Sequence, residues 1–130
     1  MRCQATFRIG TTTRSATSIT QALGRTPTSS HEIGEAVGRS SAARTQTQWN
    51  VSTEMREPSD LADHLTELLN LIEPVLPQVA ALRGEGCTID WFCFVEAAAT
   101  ERAVELLAPL LARLALVGGL LIDTYGTDND

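Results

Sequence analysis

Between Asp60 and Arg83 the apolar residues keep one helical face. Leu61, Leu65, Leu68, Leu69 and Ile72 fall at i, i+4, i+7, i+8 and i+11, and Leu76, Val79 and Leu82 continue the phase. Asp60, Asp63, Glu67 and Asn70 point the other way, so the stretch predicts an amphipathic helix laid on a core. Ser59 or Asp60 can accept the free N–H groups of the first turn, where acids also favour the positive end of the helix dipole. Gly84 and Gly86 end the helix. Pro74 interrupts it, because an interior proline removes a hydrogen bond and clashes with the preceding turn at about 3 kcal/mol. A kink is expected, or two helices joined near Glu73 with Pro74 at the first position of the second.

Strand patterns flank this helix. Cys3, Ala5, Phe7 and Ile9 alternate with Arg2, Gln4, Thr6 and Arg8, which gives a strand with one core face and one wet face. SATSITQALG follows with Ala16, Ile19, Ala22 and Leu23 at helical spacing and Gly24 as a stop. Residues 25–44 form a polar connection long enough to carry function or a short strand, which we place at His31–Val37. Thr45, Thr47, Trp49, Val51 and Thr53 alternate with Gln46, Gln48, Asn50 and Ser52, a β-branched and aromatic strand. In CTIDWFCFVE, Ile89, Trp91, Cys93 and Val95 share one face and Phe92 and Phe94 the other. Both faces being partly apolar, a central strand covered on both sides is the expectation, with a face that meets a partner as the alternative. Arg102–Leu107 has helical propensity, Pro109 suits a helix start with Leu110, Leu111, Leu114 and Val117 on its face, and LLIDTY after Gly118 and Gly119 is a last strand. The whole reads as a single α+β domain: a mostly antiparallel sheet with about three helices packed on it, and a short acidic tail at 126–130.

Composition adds little, but charge adds direction. The 130 residues are 43% hydrophobic and 20% charged, ordinary for one globular domain. Residues 1–50 carry formal +4 and residues 51–130 formal −10, giving −6 overall, and every basic residue is arginine. That sign argues against nucleic acid as the main partner, since phosphate binding needs a basic surface. It favours a basic protein partner, or serves solubility alone. The arginine-only, Ala- and Leu-rich usage suits a GC-rich bacterial genome. Cys3, Cys87 and Cys93 form no CxxC pair and fit no simple disulfide framework, so they read as reduced, buried hydrophobes. No signal-peptide pattern opens the chain and no segment approaches the ~20 apolar residues of a membrane span, so a cytoplasmic location is expected.

Candidate chemistry is sparse. His31, Glu32 and Glu35 in HEIGE give half of a zinc HExxH helix without its second histidine, and read better as a polar loop. His64 sits at the margin of the apolar helix face with no nucleophile placed beside it, which suits a hydrogen-bonded boundary histidine more than a general base. Cys93 lies inside a hydrophobic strand, where burial makes a thiol inert. Trp49, Trp91 and Tyr125 have too few basic neighbours for a stacking platform and are assigned to the core or sheet. No catalytic residue, metal site or cofactor is expected.

Taken in order, the FRIG strand, the ITQALG helix followed by RTPT, the tryptophan strand QWNVST, LADHLTELLNLIEP, GCTIDWFCF and the closing LLARLALVGGLLIDTY resemble the bacterial Domain of Unknown Function 4279 family. The resemblance implies an extended segment before the last helix, and so a short hairpin strand at Ala103–Leu107 against its local propensity. It implies no activity. The functional expectation is a non-enzymatic protein-binding domain, an immunity or antitoxin-type inhibitor of a basic partner, with Asp60, Asp63 and Glu67 on the binding surface. The alternative is a ligand-binding or enzymatic domain with a pocket between the sheet and loop 25–44.

Overall fold

A computed structural model describes residues 1–40, 42–98, 100 and 103–126. Ten residues of alternating pattern make β1 (Arg2–Thr11), and α1 (Ala16–Leu23) follows, capped by Ser15, which accepts from the Ser18 N–H at 3.1 Å. Then come β2 (Ser29–His31), β3 (Thr47–Ser52), α2 (Leu61–Ile72), a 3-10 turn at Glu73–Val75, α3 (Leu76–Gly84), β4 (Thr88–Ala97), α4 (Ala108–Ala115) and β5 (Gly119–Gly126). The sheet runs β2-β3-β1-β4-β5. Its pairings are antiparallel except β4 with β5, which α4 joins as a parallel crossover. With α2, the turn and α3 counted as one bent unit there are three helices on a mostly antiparallel sheet, the α+β architecture the pattern predicts.

The helices all lie on one face of the sheet. Cys3, Ala5, Phe7 and Ile9 of β1 are fully buried there, with Trp49 of β3 and Trp91 and Cys93 of β4. Phe7 sits between the two indoles, 6.3 Å from Trp49 edge-on and 5.2 Å from Trp91. Each indole N–H also binds a helix: Trp49 donates to Thr20 Oγ1 of α1 at 3.0 Å, and Trp91 to the Leu114 carbonyl of α4 at 3.2 Å. A large buried ring with its one polar group satisfied thus fixes where each helix lands. Between them Leu61, Leu65, Leu68, Leu69 and Ile72 of α2 cover β1.

The opposite face is uncovered, which corrects the expectation of a central strand covered on both sides. Phe92 and Phe94 of β4 are half-buried by their own sheet neighbours. The Arg8 guanidinium lies 4.7 Å from the Phe92 ring centre while making two 2.8 Å hydrogen bonds to Asp90, its cross-strand partner. Phe94 stacks at 5.1 Å on Tyr125 of β5. Tyr125 is therefore a sheet residue but not a core one, at 52% exposure.

Three further boundaries differ from the pattern. The short strand is at Ser29–His31 and not His31–Val37, because its partners Gln48–Asn50 end the ladder there. Residues 103–107 form no strand: with β1 on one side of β4 and β5 on the other, both edges of β4 are already taken. The long helix bends as expected, but Pro74 lies inside the 3-10 turn, and Pro77 opens α3. Gly118, in the turn between α4 and β5, marks a close approach to β4: a Cβ there would collide with the Ile89 carbonyl oxygen.

Candidate functional site

The loop before α2 is tied to the start of the sheet, and this places the acids of the helix. Ser59 donates its N–H to the Met1 carbonyl at 3.0 Å and its hydroxyl to the Arg56 carbonyl at 2.7 Å, while Cys3 N–H donates to Ser59 Oγ at 3.2 Å. Asp60 is the N-cap, accepting from the Ala62 N–H at 3.2 Å. One turn on, Asp63 is exposed, and Glu67 follows, paired with Arg56 at 3.3 Å. Both members of that pair are well exposed, so it contributes only about 0–1 kcal/mol. The three expected site residues thus share one stretch of helix in different states: Asp60 caps, Glu67 is paired, and Asp63 faces water.

Beneath them lies His64, which is fully buried and not at the boundary. Its Nδ1 is 2.7 Å from Thr53 Oγ1 and 3.3 Å from Arg56 Nη2. A guanidinium only donates, so Nδ1 must accept and the neutral ring carries its proton on Nε2. That Nε2 has no protein partner. Burial, then the Arg56 charge, push the imidazole below its usual pKa, against the weaker pull of Glu67, Asp63 and Asp60. A neutral, buried ring with no water-facing nitrogen holds the loop to the helix; as placed, it reaches no substrate.

Two grooves border α2. One, of about 380 Å³, is lined by Glu54, Arg56, Glu67, Leu68 and Leu71 together with the end of β3. The other, of about 370 Å³, lies toward α4 between Asp60, Thr66, Glu105, Leu107 and Arg113. Leu71 and Leu107 are partly exposed in them, at 36% and 62%. Each groove therefore joins carboxylates to apolar surface. Glu73 and Arg113 close the α4 side with hydrogen bonds of 2.6 and 3.0 Å, and the Arg113 guanidinium holds the Glu73 carboxyl below its usual range.

The other candidates are dispersed. His31 lies 3.9 Å from Glu35, but Glu32 turns away to cap α1, accepting from the Ala16 N–H at 2.8 Å and the Thr47 hydroxyl at 3.3 Å. Among the described residues no three His, Cys, Asp or Glu side chains gather as a metal group. Burial pushes the Cys93 thiol up to about 12, so it stays protonated. Trp49 and Trp91 are core residues. A polar hollow of about 160 Å³ opens on the bare sheet face between Arg8, Gln46, Gln48, Thr88 and Asp90, and takes none of its lining from residues 25–44. Sequence reasoning missed this hollow and the Arg8–Phe92 stack; the alternation that put Arg8 and Asp90 on wet faces was the available signal. No helix among the described residues is long and apolar enough to cross a membrane.

No curated protein and no solved structure matches the chain. A family described as a domain of unknown function, DUF4279, matches residues 1–127, nearly its whole length. The protein belongs to the DUF4279 family.

Proposed function

We propose that this chain is a non-enzymatic protein-binding domain whose α2 face takes a basic segment of a partner protein, in the manner of an immunity or antitoxin-type inhibitor. The observation that carries the reading is the acidic rim of α2. Asp60, Asp63 and Glu67 span about 10 Å of helix at 1.5 Å per residue. Glu54 lies across one bordering groove and Glu105 across the other, both with partly exposed leucine alongside. Carboxylates beside apolar surface fit a segment that alternates arginine or lysine with apolar side chains. Three buried, unpaired cysteines suit a reducing bacterial cytoplasm as the setting.

Affinity capture from the native host, with and without Asp63→Arg, tests the reading. Asp63 is the residue to change, because Asp60 caps the helix and Glu67 holds Arg56. A basic protein retained by the parent and lost by the variant is expected. A partner retained equally by both would overturn the assignment of this face.

A further inference from the structure

We propose that the outer edge of β5 pairs with the same edge of a second copy of this chain, antiparallel across a two-fold axis, joining two five-stranded sheets into one. The two edges of the sheet are unlike. β2 offers three residues, whereas β5 offers eight, Gly119–Gly126, hydrogen-bonded to β4 along one side and to no strand along the other among the described residues. Such an edge presents a row of N–H and C=O groups whose natural complement is another strand. Edges of monomers are usually guarded by lysine, proline or a bulge. GLLIDTYG has no proline, no basic residue and a single acid.

Apolar surface flanks this edge on both faces of the sheet, with Leu120 on the helix face opposite Trp91 and Leu121 and Tyr125 on the bare face opposite Phe92 and Glu96. Four of the nine exposed large hydrophobic side chains are Leu111, Leu120, Leu121 and Tyr125, at 37–52% exposure. At 3.6 residues per turn, Leu111 and Ala115 fall on the flank of α4 opposite Arg113, which reaches toward Glu73 and α2, so this flank lies on the β5 side. With roughly 200 Å² for a large side chain, those four leave on the order of 360 Å² uncovered. Adding the backbone edge brings the surface toward the ~800 Å² per partner of a specific interface.

Charge selects the occupant. Two copies at −6 each repel, least where the surface carries least charge, and from Leu114 to Gly126 the only ionisable side chains are Asp123 and Tyr125. Along the strand itself a strongly basic partner would find one carboxylate, Asp123, and an acidic partner no cation at all. A two-fold through Ile122 sets Ile122 against itself and each Asp123 opposite a Leu121. Shifting it one residue would face Asp123 with Asp123, which like-charge repulsion disfavours. The pairing uses up the long edge and leaves only the three-residue β2 outside, so assembly closes at two copies.

Sedimentation of the full chain from micromolar to millimolar concentration, with amide hydrogen exchange on the same samples, tests the proposal. The mass should rise from one chain to two, and β5 amides should gain protection in step while β2 amides do not. Leu121→Lys, at a 51% exposed position, should weaken association at least tenfold with an unchanged melting temperature at dilutions where both proteins are single chains. If that variant fails to fold, the exchange data on the parent chain decide. A single-chain mass throughout, growth beyond two copies, a dimer with β5 amides as exposed as in dilute solution, or undiminished dimerisation of a folded Leu121→Lys would each overturn it.

Discussion

Leu68 and His64 occupy neighbouring turns of α2, and each holds the fold by a different force. Leu68 is 2% exposed over β1, so Leu68→Ala removes buried methyl groups and leaves a cavity. A loss of about 2–5 kcal/mol is expected, readable by denaturant titration; an unchanged midpoint would place Leu68 outside the core. His64 contributes through its protonation state. Its folded pKa lies below the 6.5 of the free group, so in the window under 6.5 the unfolded chain binds the proton first. Stability is therefore fully present above 6.5 and falls as pH drops from there toward the folded pKa. Glu73, held below 4.5, adds a second loss that begins at more acid pH. Thermal melts across pH 5–8 should show the first slope, and His64→Gln should flatten it; a slope unchanged in that variant would move its source elsewhere. Leu68 was legible because a repeating phase identifies it. His64 was read as marginal because periodicity places a residue on a face without saying what closes over it, and the lid here is Thr53 and Arg56, eight and more positions away.

At the scale of elements, glycine and proline decide how α4 is held. Pro109 lies in the first turn of α4, whose N-cap is Leu107, where a backbone N–H has no intrahelical partner to lose. Pro109→Ala should thus change the melting temperature little, whereas Gly118→Ala must push the turn after α4 off the Ile89 carbonyl of β4 and lower it sharply. The opposite order in a single set of melts would refute this account of the α4–β5 corner. The helices and the strands β1, β3, β4 and β5 were legible in the sequence because each carries enough residues to show a period. β2 was expected at His31–Val37 and shares only His31 with that range, since three positions carry no period and only the β3 ladder defines them. The expected strand at 103–107 failed for a topological reason: pairing capacity belongs to the sheet, and β4 had none left.

For the molecule as a whole, the uneven charge of the two halves becomes a geometric feature. The acids after residue 50 collect in part along α2 and its grooves, while Arg8 and Arg2 on the bare sheet face are matched by Asp90 and Glu96. That one face of the sheet would stay uncovered was hidden in Phe92 and Phe94, whose apolar character suggested a second layer; ring stacking by Arg8 and Tyr125 supplies part of that cover instead. The α2 rim was legible as three acids at i, i+3 and i+7, but their unequal roles as cap, free carboxylate and ion pair were not. We propose above that this rim recognises a basic protein. Association steered by such a field is screened over ~8 Å at physiological salt. The most direct measurement is therefore the association rate of the captured partner across a salt series, for the parent and for folded Asp63→Arg. The account predicts a rate that falls steeply with salt and a reversal variant that is slower and flatter; equal rates and equal salt dependence for the two proteins would contradict it.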